Sequence, residues 1–92
     1  MKYEVFHAKN PNFGFGGHPA FVPENYEKVA EVEVENVDEA FRVTNHIDEP
    51  WWKNPEVKWH KDQSRRSTSV GDVVVGPDGK RYLCDMVGWK VV

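Results

Sequence analysis

Residues 30 to 35 read Ala-Glu-Val-Glu-Val-Glu, an alternation without a break. Successive side chains of a strand point to opposite faces, so Ala30, Val32 and Val34 predict one apolar face, and Glu31, Glu33 and Glu35 an acidic, wet one. Tyr3 to Ala8 alternates more weakly and predicts a first strand. Between the two, residues 9 to 25 hold Pro11, Pro19, Pro23 and the cluster Gly14-Phe15-Gly16-Gly17, which predicts a loop despite its phenylalanines. After the alternating strand, Asn36 stands as an N-cap with Glu39 three residues on, and Asp38 adds charge where a helix start favours it. Val37, Ala40, Phe41 and Thr44 then follow helical spacing, predicting about three turns that end near residues 45–47, ahead of Pro50.

Residues 50–66 show no sustained period. They read mainly as loop, with at most a short strand at Val57–His60. Further on, two apolar segments, Asp72–Val75 and Lys80–Met86, flank Gly76-Pro77-Asp78-Gly79. Pro77 suits the second position of a type I turn and Gly79 suits a left-handed conformation, so a hairpin follows. Gly88 breaks the pattern, and Trp89–Val92 predicts a closing strand. The order is β-β-α-β-β-β: an α+β fold with a small antiparallel or mixed sheet of about five strands and one helix on a face. Phe41, Val32, Val34, Val73 and Tyr82 are the expected shared core. With 92 residues, no repeat and no Gly/Ser-rich linker, residues 1–92 read as a single domain.

Charge changes the picture more than composition does. The net charge is −3, yet residues 24 to 49 hold nine acids against two bases, while residues 50 to 92 hold eight bases against five acids. The halves read as ordinary solvated faces or as two faces of opposite sign, which can orient a partner. An acidic pI near 5.8 disfavours general binding to phosphate backbones. The lone Cys84 excludes an internal disulfide and a cysteine-based zinc site, and fits a reducing compartment. No stretch approaches the roughly 18 apolar residues of a membrane span, and the opening residues lack a signal-peptide core, so no membrane role and a cytoplasmic location are expected.

Candidate chemistry is thin. His46-Ile47-Asp48 and His60-Lys61-Asp62 repeat a His-x-Asp grouping that would suit a metal-dependent hydrolase if the pairs converged, but the spacing matches no known site. Cys84 lies between Tyr82 and Met86 on an apolar strand face, where a thiol is a small hydrophobe rather than a nucleophile. The Gly14–His18 stretch lacks the strand-to-helix setting and the Gly-Lys-Ser/Thr ending of a phosphate loop. No catalytic residue, metal or cofactor is therefore expected. Rings interleaved with cations fill residues 51–66, a composition that suits tryptophans lying as a lid on the core with solvated lysines, then a protein interface and, less well given Glu56 and Asp62, single-stranded nucleic acid. The expected partner contacts are Phe13, Phe15 and His18 in the first loop, and Trp51, Trp52 and Trp59 in the second, with Arg65 and Arg66 at the rim. Of the adjacent Trp51 and Trp52, one should be buried and the other partly exposed, since neighbours in an extended segment diverge.

Ser67-Thr68-Ser69-Val70-Gly71-Asp72-Val73-Val74-Val75, followed by Gly79, Tyr82, Asp85, Gly88, Trp89 and Lys90, resembles the YodL-like domain. That family shows a Ser-x-Ser-Val-x-Asp-Val-Val-Val run, a short turn, then Tyr, Asp, Gly and an aromatic. Asn10-Pro11-Asn12-Phe13, Thr44-Asn45-His46 and Trp51-Trp52 are similar to stretches of small proteins of actinobacteria and their phages. The resemblance implies a mobile-element or phage setting and an accessory domain that binds a macromolecule without chemistry, a protein most readily. Nucleic-acid-related binding, including DNA mimicry by the acidic strand and helix start, is the alternative, and no catalytic residue carries over.

Overall fold

The computed structural model describes residues 1–9, 23–45, 50–61, 67–85 and 88–92. Six strands form one antiparallel sheet: β1 (Lys2–Ala8), β2 (Tyr26–Glu33), β3 (Val57–His60), β4 (Val73–Val75), β5 (Arg81–Cys84) and β6 (Trp89–Val91), in spatial order β3-β2-β1-β4-β5-β6. One helix, α1 (Val37–Val43), follows β2. The fold is α+β with a small sheet, as expected, but with six strands instead of about five. The sixth is β3, the Val57–His60 stretch read from the sequence as at most a short strand; it sits at the sheet edge, where its residues alternate poorly because neither of its faces is fully covered.

β2 begins four residues earlier than its clean alternation suggests. Val5 pairs with Ala30 but Phe6 pairs with Lys28, so Val29 is an extra residue on β2 and both Val29 and Ala30 are buried. This bulge breaks the period of two and hides the first half of the strand from pattern reading. The hairpin is as the turn chemistry dictates: Gly76 N–H donates to Lys80 O at 2.9 Å, Gly79 N–H to Gly76 O at 3.0 Å, and Gly79 takes a φ of 86°.

Helix α1 is capped as predicted, with Asn36 Oδ1 accepting from Glu39 N–H at 2.9 Å, but the Glu39 carboxylate turns to Arg42 and leaves the capping box half formed. The helix covers two turns rather than three and buries Ala40 and Val43. The docked face is therefore rotated away from Phe41. Ala40, Val43, Trp51, Tyr3, Val5, Val32, Val34 and Val74 form the core beneath α1. On the opposite sheet face, Tyr26, Val73 and Leu83 form a second cluster with Phe6 and Val75 against it. The single expected core is corrected accordingly. Val73 and Val74 are neighbours on β4 and point to opposite faces; Phe41 is half-buried against Trp89; Tyr82 lies outside both clusters.

Candidate functional site

Among the described residues, the buried polar and charged side chains are His7, Thr44, Thr68 and Asp72, a cluster that sequence reading missed. His7 continues the Tyr3, Val5 register of β1 into the covered side of the sheet and is buried there with Thr44, Thr68 and Asp72. The signal was present: a histidine in an apolar register must meet polar partners. His7 Nε2 lies 2.9 Å from Thr68 Oγ1, Thr68 Oγ1 donates to Thr44 Oγ1 at 2.8 Å, and Thr44 Oγ1 donates to Ala40 O at 2.8 Å. The carbonyl can only accept, so the Thr44 proton is committed to it, and the Thr68 proton is then committed to Thr44. His7 Nε2 must carry a hydrogen and donate to Thr68.

This order of donors answers whether the cluster is a hydrolytic triad. In such a triad the hydroxyl gives its proton to imidazole, and the carboxylate holds the other ring nitrogen. Here the Thr68 proton points away from His7, and Asp72 Oδ2 lies 4.0 Å from the same nitrogen that meets Thr68. Asp72 is spent on backbone: Oδ1 accepts from Ala8 N–H at 2.9 Å and Oδ2 from Ser69 N–H at 2.8 Å. Thr68 N–H donates to Thr44 O at 2.9 Å, and Tyr26 Oη–H to Gly71 O at 2.9 Å. The stretch Thr68–Asp72 is thus stitched to β1, β2 and the end of α1, a structural role for Thr68, Ser69, Gly71 and Asp72.

Cys84 is 7% exposed, and burial, reinforced by the Asp72 and Asp85 carboxylates, pushes its thiol up to about 11. The thiolate needed for attack is scarce near neutral pH. At pH 8, native protein is expected to react with Ellman's reagent far more slowly than protein in guanidinium; equal rates in the two states would show an accessible, activated thiol.

The expected contact residues fare differently. Trp51 is 1% exposed, its indole edge-on to Trp52 at 5.7 Å and to His7 at 6.3 Å, so it is a core residue and not a contact residue. A 3-10 turn at Trp51–Lys53, not an extended segment, separates the two rings, and Trp52 is left half-buried against the core. Trp59 is 42% exposed on β3, on the sheet face away from α1. Lys28 Nζ lies 5.5 Å from its ring centroid and is itself held by Glu4 at 2.7 Å and by Glu31. Those carboxylates, Glu31 first, keep the Lys28 ammonium above its ordinary range. Phe13, Phe15, His18, Arg65 and Arg66 lie outside the described residues, as do His46, Asp48 and Asp62 of the His-x-Asp pairs. His60 is half-buried on β3, and among the described residues no group of three His, Cys, Asp or Glu could hold a metal.

The acidic face is not a continuous field. Glu4, Glu27 and Glu31 each meet a lysine, with Glu27 bound to Lys61 at 2.9 Å, and Glu39 and Glu56 share Arg42. Mimicry of a phosphate backbone needs a row of uncompensated charges, which this interleaving removes over β1 and β2. No helix among the described residues is long and apolar enough to cross a membrane. Compared with known proteins, the chain matches no family model, no curated protein and no solved structure.

Proposed function

We propose that this domain acts by binding a protein partner without chemistry, through the sheet face centred on Trp59. The observation that carries the reading is the 42% exposure of a tryptophan on the edge strand β3. Exposing a large indole is unfavourable in isolation, and tryptophans rimmed by charge are the commonest energetic anchors of protein interfaces. Lys28 stiffens the ring from one side, which lowers the ordering cost on binding. Among the described residues no strand pairs with the outer edge of β3, so a partner strand could add there beside the ring. From the resemblance of the last 26 or so residues to the YodL-like domain, we extend the proposal to a phage or mobile-element accessory protein working in the cytoplasm.

Single-stranded nucleic acid is the second reading, because the same exposed ring could stack a base. It is disfavoured by the engagement of Lys28, beside the ring, and of Lys61 with glutamates. Trp59→Ala is expected to leave the melting midpoint within about 2 °C, as surface changes do, and to abolish the capture of specific host or element proteins by the immobilised domain. A labelled thymidine 30-mer is expected to show no binding at physiological salt. Equal capture by Trp59→Ala, or Trp59-dependent binding of the oligonucleotide, would overturn the protein reading.

A further inference from the structure

On the other side of the sheet, a solvent-open groove of about 350 Å³ runs between α1 and the β5–β6 end. Phe41, Val70, Cys84 and Trp89 give it apolar walls, and the Asp38 and Asp85 carboxylates lie along it, with no lysine or arginine among the described lining residues. Its geometry is held from within. The Trp89 Nε1–H donates to Asp38 Oδ1 at 2.8 Å, and Phe41 meets Trp89 edge-on at 5.9 Å and 80°. The indole is thereby fixed beside a carboxylate, with Asp38 Oδ2 on the same group. An aromatic face next to an anionic oxygen, with apolar walls for an aliphatic stem, complements a guanidinium on its methylene chain. The volume is at the lower end of those that enclose small ligands.

A second groove supplies the contrast. It has about 390 Å³ and more carboxylates, lined by Glu33, Glu35, Glu39 and Glu56, but it contains its own cation: Arg42 binds Glu39 and Glu56. None of its described lining residues is aromatic. Acidity alone does not distinguish the two; the fixed indole does, together with a described lining that holds no lysine or arginine.

We infer that the Phe41–Trp89 groove is a binding site for an arginine side chain presented by a partner peptide. The inference does not depend on Trp59, which lies on the opposite face of the sheet. The test follows the Trp89 indole N–H resonance, assigned through Trp89→Phe, while the full chain is titrated with the peptide acetyl-Leu-Arg-Leu-amide or its citrulline counterpart, which is isosteric and neutral. The arginine peptide is expected to shift that resonance saturably and to bind about fivefold more tightly than the citrulline peptide, the size of a modest charge and cation–π contribution. Asp38→Asn keeps an oxygen for the indole and removes the charge, so it should weaken the arginine peptide about fivefold and leave the citrulline peptide unchanged. Glu35→Gln removes the same charge from the other groove and should change neither. The inference fails if the Trp89 resonance does not shift saturably, if citrulline binds as well as arginine, or if Glu35→Gln matches Asp38→Asn.

Discussion

Trp51→Ala is expected to destabilise the fold by about 3–5 kcal/mol, the cost of removing a large buried aromatic. Its indole, 1% exposed, belongs to the core cluster that also holds Ala40 and Val43 of α1 and Tyr3 and Val5 of β1, and it meets the rings of His7 and Trp52 edge-on. Since small domains have about 5–15 kcal/mol in total, the variant should unfold at markedly lower urea concentration and be partly unfolded near 37 °C. Trp52→Ala, by contrast, should cost about 1–2 kcal/mol, because its half-buried ring can be replaced by water on one side. Equal midpoints for the two variants would mean that the two rings share one burial environment.

The second large effect belongs to Asp72. Asp72→Ala removes the acceptor for Ala8 N–H and Ser69 N–H, both of which lie where solvent cannot fully replace it. Each buried donor left without a partner costs about 1–3 kcal/mol, so a loss of about 2–5 kcal/mol is expected. Asp72→Asn should recover only part of it, since the amide offers one oxygen where two N–H groups converge. The change should also be local before it is global. In hydrogen exchange, Ser69 and Ala8 amides should lose protection at denaturant concentrations where the β1–β2 ladder is still protected. A variant whose Ser69 amide exchanges no faster than in the parent chain would contradict the role assigned to Asp72.

What was legible in the sequence follows from which rule each segment obeys. The hairpin around Gly76–Gly79 and the Asn36 cap were readable because their chemistry is local: a glycine that needs positive φ, a side-chain oxygen three residues before an amide. The early part of β2 was hidden by the bulge at Val29, and β3, at an edge, left only the weak trace read as at most a short strand. Helix orientation was misjudged at Phe41 because Val43, which the expected spacing left off the docked face, is the buried hydrophobe, next to a Thr44 held in place by its bond to Thr68. That bond joins residues 24 positions apart, beyond the reach of any period. Of the contact residues, Trp59 could be named from composition, but its exposure, and the burial of Trp51, depend on the 3-10 turn at Trp51–Lys53 and on the register of β3. The groove at Trp89 had no sequence signal, since Asp38, Phe41 and Trp89 meet only after the sheet has closed.

The central position of β1 also sets the order in which the chain can assemble. β1 and β2 can pair early, but the other edge of β1 waits for β4, and the bonds from His7 and Ala8 span separations of 61 and 64 residues. Chain closure over such distances carries a large entropic cost before any contact compensates it, which slows folding to the millisecond-to-second range typical of sheets dominated by non-local pairing. During synthesis, β1 therefore presents an open strand edge until residues 73–75 have left the ribosome, the interval in which a nascent sheet is most exposed to pairing with the wrong chain.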